Sequence, residues 1–166
     1  MTRCRLDLKT VDYDEIINEA AIFNVAASLI SEDDSDEKPQ YVAAVGVVRC
    51  HNKWLLGLAK DTNDDRELTW VAPGGGIKPG ETPEKAAERE VREETGIRCH
   101  AVSGIMEDPR KPGVAFVACT TNSTDWGKLQ PNHEFVTVGF FTTRELKGLR
   151  LYRNVLELIE KAKRRL

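Results

Sequence analysis

The stretch from Pro73 to Gly96 limits what this chain can fold into more than any other part of it. A short apolar run, residues 68–72, stops at Pro73-Gly74-Gly75-Gly76, which reads as a strand ending in a tight, backbone-exposed turn that glycine tolerates best. A helix must follow soon after. Thr82 is suited to the N-cap, Pro83 to the first helical position, and Glu84 to the positive end of the helix dipole. Gly96 stands where a left-handed C-cap belongs. A strand, a glycine turn and a helix marked at both ends form a unit that needs a sheet for the helix to cover.

The inside of that helix is unusual. At about 100° per residue, Ala87, Val91 and Glu94 fall together, with Glu90 and Glu93 on the adjoining flank. The apolar pair can seat the helix on a sheet while the three carboxylates share one arc beside it. Acids at i, i+3 and i+4 repel by a few tenths of a kcal/mol per pair, roughly, so helix stability alone does not ask for them. A solvated acidic face is the plain explanation. A hard cation is the other, because Mg²⁺ binds carboxylate oxygens and bridges them to phosphates. Arg89 is expected to point away from this arc and to reach back to Glu81, locking turn to helix.

The rest of the chain supplies the sheet. Strands are expected over residues 41–49, 53–58, 68–72, 98–106, 114–120 and 134–141, the first two forming a hairpin about His51-Asn52. A last helix is expected over 153–163, with Val155, Leu156, Ile159 and Ala162 at helical spacing. Residues 1–40 differ in character. Helical spacing of Ile16, Ala20, Phe23, Ala27 and Ile30 is followed by an acidic linker over 31–37. The division expected is thus a helical extension, 1–40, and a main domain, 41–166. The extension packs on the main domain, covers its cleft, or builds a homodimer interface.

At 166 residues the chain can bury a core without staples. A net charge of −3 gives no general case for binding nucleic acid. The basic residues at the C-terminus, Arg153, Lys161, Lys163, Arg164 and Arg165, read as solvated and dipole-complementing. No apolar run approaches the roughly 20 residues of a membrane span. Cys50, Cys99 and Cys119 fall in apolar stretches without a C-x-x-C pair, so they read as small buried hydrophobes. A reducing cytoplasmic setting is the expectation.

Gly75, Glu81 and the run Arg89-Glu90-Val91-Arg92-Glu93-Glu94-Thr95-Gly96-Ile97 agree with the signature of the Nudix hydrolase family at every defined position. Chance agreement in a chain of this length is on the order of one in ten million at average residue usage. The resemblance implies an α+β fold, an α/β/α sandwich with a mixed β-sheet. It implies hydrolysis of a nucleoside diphosphate linked to another moiety, with Mg²⁺ or Mn²⁺. By position it makes Glu90 and Glu94 metal ligands, and Glu93 a ligand or a residue that positions the water. Glu81 and Arg89 become a structural ion pair, and the carbonyl of Gly74 a backbone ligand. An acid outside the signature often serves as base or further ligand, and Glu134 is the candidate here.

Specificity is harder to read. Lys60 and Lys78 flank the expected cleft and are candidates for phosphates, and Trp126 for stacking on a base. A compact domain favours a nucleoside triphosphate, modified or not, as the nucleotide partner. ADP-ribose or another nucleotide sugar comes next; Pro112 lies one residue from where ADP-ribose-cleaving relatives carry a proline, which decides little. RNA 5′ ends are a further alternative, and a sensor that binds without cleaving is a different class.

Overall fold

The protein is seen here as a computed structural model that describes residues 41–60, 68–122 and 129–166. The expected N-terminal helix and linker, the loop over 61–67, the side chain of Lys60, and Trp126 lie outside the described residues.

Strands β1 (Ala43–Cys50) and β2 (Lys53–Lys60) form the expected hairpin, pairing Arg49 with Trp54 and Cys50 with Lys53. His51 turns the corner with φ 55. Next come β3 (Leu68–Val71), β4 (Gly74–Gly76) and helix α1 (Pro83–Thr95). Strands β5 (His100–Met106), β6 (Val114–Thr120) and β7 (Phe135–Thr142) follow. A single-turn α2 (Thr143–Leu146) and α3 (Val155–Lys163) complete the fold.

The sheet runs β3-β2-β1-β6-β5, with β4 also on β1 and β7 also on β2. It is mixed, since β1 and β6 are parallel while the other pairs are antiparallel. Alternation along the central strands sends side chains to two cores. Val47, Phe116 and Ala118 meet Val155, Leu158 and Ile159 of α3. Val48, Ala115, Val117 and Leu55 meet Ala86, Ala87 and Val91 of α1. Helices therefore cover both faces, as an α/β/α sandwich requires. β6 is buried on both sides, which explains why Val-Ala-Phe-Val-Ala-Cys-Thr reads as one apolar run. Each fully buried aliphatic contributes about 1.5–3 kcal/mol. Gly46 lets α1 sit close, because a Cβ there would lie 2.5 Å from Val91 Cγ2.

Two elements differ from expectation. Gly74–Gly76 is not an exposed turn but a short strand, its residues paired with Val45, Ala44 and Ala43 of β1. None of the three has a positive φ, whereas Gly80 does, at 77°. Close approach explains Gly74 instead, since a Cβ would meet the Ala44 carbonyl at 2.5 Å. The second is α2, which was not anticipated although its capping box is written locally: Thr142 and Glu145 bond each other's amides. The three cysteines are buried as expected. The C-terminal basic run is less idle than expected, with Lys161 donating to the Glu107 carbonyl at 2.9 Å and Arg165 to that of Ile105 at 3.3 Å. Among the described residues no helix is long and apolar enough to cross a membrane.

Candidate active site

Helix α1 begins and ends as its caps dictate. The Thr82 hydroxyl accepts from the Lys85 amide at 3.4 Å, and Gly96, with φ 75, closes the other end on the Arg92 carbonyl. Between them Ala87 and Val91 bury against the sheet and bring the neighbouring Glu94 down with them. Glu94 is only 2% exposed and accepts the Gly74 amide at 2.9 Å, which pins the helix to β4. Gly74 thus meets Glu94 through its N–H.

The three helix acids are not equivalent. The Glu93 side chain is 45% exposed, that of Glu90 14%, and Glu94 is buried. Arg89 does not point away from them. Its Nε and one terminal nitrogen grip Glu81 at 2.9 and 2.8 Å, and the same nitrogen donates to the Gly76 carbonyl at 2.8 Å. The other terminal nitrogen reaches Glu90 at 2.6 Å and Glu93 at 3.2 Å. The Glu81–Arg89 pair is therefore present and joins the loop, β4 and the helix. Hydrogen bonding to Arg89 holds the Glu81 carboxyl down to about 2. Lys78 lies at the rim, its Nζ 4.0 Å from Glu93.

Glu134 comes to the same place from the start of β7. Its carboxyl lies beside that of Glu94, close enough to disfavour the charged form of both together. Burial first, and then Glu134, pushes Glu94 up to about 10. Glu90 is also raised, by burial and by the charges of Glu93 and Glu134, against the pull of Arg89. Residues the sequence did not single out hold this corner. The amides of Gln130 and Asn132 donate to the carbonyls of Thr95 and Glu94, at 2.9 and 3.2 Å, and so satisfy groups at the end of α1. The Asn132 side-chain oxygen accepts the Glu134 amide at 2.9 Å. An Asn two residues before an acid is a local turn signal, and it was the available clue.

Does this donor set suit a divalent cation? Among the described residues no three acidic side chains already converge as a cage. The reason is visible, since Arg89 draws Glu90 aside and Gly74 holds Glu94. The chemistry nevertheless fits, because the oxygens are hard donors and Arg89 is shared among Glu81, Glu90 and Glu93. Gly75 keeps the space beside Glu90, where a Cβ would stand 2.7 Å from the carboxylate.

A family model described as "NUDIX domain" matches residues 39–161. Nudix hydrolase 1 of Caenorhabditis elegans is 25% identical over 142 residues, covering 83% of this chain and 34% of that protein. An RNA pyrophosphohydrolase of Erythrobacter litoralis is 34% identical over 73 residues, 44% of each chain. This chain thus spans less than half the length of either relative. Among solved structures, an ADP-ribose pyrophosphatase from Streptococcus suis is similar, with TM-score 0.57 and 26% identity over 76% of this chain and 93% of the other.

Proposed function

We propose, from the premise that this chain belongs to the NUDIX family, that it hydrolyses the pyrophosphate bond of a nucleoside diphosphate linked to another moiety. The observation that carries this is the gathering of Glu90, Glu93, Glu94 and Glu134 around a helix clamped to β4 through Gly74. An acid held neutral by burial beside other acids is a costly arrangement unless a positive partner arrives.

Glu90 and Glu94 are the proposed ligands for Mg²⁺ or Mn²⁺, with Glu93 and the Gly74 carbonyl as further candidates. When bound, that cation offsets charge on the pyrophosphate oxygens and lowers the pKa of a water. Glu134 accepts the proton of the attacking water, a role that suits a carboxylate outside the grip of Arg89. Glu93, more exposed and paired with Arg89, orients that water. Arg89 and Glu81 keep β4 and the helix at fixed separation. Attack at phosphorus breaks one P–O bond and forms another, giving a nucleoside monophosphate and a phosphorylated remainder. Lys78, at the rim, is the described candidate for meeting a substrate phosphate. Lys60 and Trp126 stay expectations from sequence.

The preferred substrate is a nucleoside triphosphate, modified or not. The similarity to an RNA pyrophosphohydrolase supports RNA 5′ ends as a second reading, and the structural neighbour supports ADP-ribose. One panel separates them: nucleoside triphosphates, ADP-ribose, a dinucleoside polyphosphate and 5′-triphosphorylated RNA, each with Mg²⁺, scored by product mass. Release of monophosphate from the triphosphates is the expected result. Tight binding of one member with no cleavage of any would replace the enzyme by a sensor.

A further inference from the structure

Glu134 is held from both sides, and the two holds meet at the helix it serves. On its N-terminal side, Asn132 makes two bonds of different kind. Its amide donates to the Glu94 carbonyl, and its side-chain oxygen accepts the Glu134 amide. The turn that carries Glu134 is therefore referenced to the backbone of the residue whose side chain Glu134 meets. On the C-terminal side stands Phe135, opposite Ala59 across a register slip between Leu58 and Ala59. The slip leaves Val136 over, and that residue is 55% exposed.

The slip has a second effect. In a regular strand Phe135 and Val138 would face opposite ways. With one residue bulged out, Phe135 turns to the side of Val138, the partner of Gly57. Its ring lies on Gly57, where a Cβ would come within 2.5 Å of the ring carbons. Gly57 has no positive φ, so room for the ring explains the glycine. Leu55 and its partner Phe140 lie on this same side and belong to the core under α1.

We propose that Asn132 and Phe135, the latter seated on Gly57, are positioning residues that hold the Glu134 carboxyl against Glu94. This rests on the reading of Glu134 as proton acceptor and adds what aims it. The alternative is that both merely stabilise the edge of the sheet.

A double-mutant cycle tells these apart, with dGTP as the probe and Mg²⁺ present. Asn132→Ala removes the side-chain acceptor but keeps the amide, and Gly57→Ala displaces the Phe135 ring. Each is expected to lower kcat about tenfold to a hundredfold with KM nearly unchanged. Asn132→Asp keeps the acceptor and is expected to recover most of the rate. In the Glu134→Gln background neither substitution should slow the enzyme further, because the aimed group is already gone. Losses that multiply in that background, or full kcat in Asn132→Ala, would overturn the proposal. Full kcat in Glu134→Gln alone would instead remove the proton-acceptor reading. A crystal structure of the Asn132→Ala chain decides the geometry without any substrate. Glu134 swung away from Glu94 supports the positioning role, and Glu134 still beside Glu94 overturns it.

Discussion

Asp108 and Glu94 expose almost the same small fraction of surface, 3% and 2%, yet their carboxyls are driven in opposite senses. Asp108 accepts from the Arg110 amide and guanidinium at 2.8–3.1 Å, and from the Asn154 side chain at 3.1 Å. Arg110 chiefly draws its carboxyl down to about 2. It ties the β5–β6 loop to the start of α3, on one face of the sheet. On the other face, Glu94 accepts the Gly74 amide, but burial first, and then the acids Glu134 and Glu90, drive it up to about 10. Burial is the largest push on Glu94, whereas at Asp108 the Arg110 guanidinium outweighs it. A carboxylate supplied with donors by its own chain becomes a joint. One placed among acids is finished only by charge from outside.

The largest expected effect comes from Glu94→Gln, which keeps an oxygen for the Gly74 amide but removes the charge. Turnover should fall by about a hundredfold to a thousandfold while circular dichroism is unchanged. Undiminished turnover would break the contrast, since Glu94 would then be one more structural acid.

The contrast also has a sign in pH. Glu94 is raised in the folded chain, so its contribution to stability is full below its ordinary 4.5 and is lost as pH rises toward about 10. In EDTA the melting temperature should therefore drop between pH 5 and 9, and excess Mg²⁺ or Glu94→Gln should flatten that slope. Asp108 and Glu81 are depressed, so their contributions are present above 3.8 and 4.5 and vanish as pH falls through about 2. An EDTA profile that is level from pH 5 to 9 would remove the electrostatic half of the comparison.

Asp108→Asn should cost about 2 kcal/mol, lowering the melting temperature while kcat and KM stay at wild-type values. A loss of kcat without loss of stability would make Asp108 part of the site. The smallest effect belongs to Gly75→Ala. Its Cβ would crowd the end of the Glu90 side chain, which can move aside, so Mn²⁺ affinity measured by calorimetry should weaken about tenfold. Unchanged affinity would show that Glu90 does not need the space that Gly75 leaves.

What could be read from the sequence was local. The caps Thr82 and Gly96, and the shared arc of Ala87, Val91 and Glu94, depend on neighbours within a turn or two. The Glu81–Arg89 pair follows from the helix starting between its members. The strand character of Gly74–Gly76 depends on β1, far away in the chain, and no propensity signals it. The same holds for the bond of Arg89 to the Gly76 carbonyl, which needs β4 beside α1, whereas its contacts with Glu90 and Glu93 lie within the helix. Glu134 was found as a candidate, but its aim toward Glu94 needs the bulge and the Asn132 turn. Asp108 went unnoticed because Asn154 comes to it from the far end of the domain.

The parallel pairing of β1 with β6 has a kinetic consequence. Ala43 finds Val114 only after most of the domain has been synthesised, and α1 lies in the loop that this pairing closes. Closing so long a loop costs entropy before any contact repays it. The helix that bears the acids can form early from its own caps. The part of its apolar floor made by β6, with Ala115 and Val117, arrives late. Mutations that weaken Ala115 or Val117 should therefore slow the assembly of the site more than they alter its finished geometry.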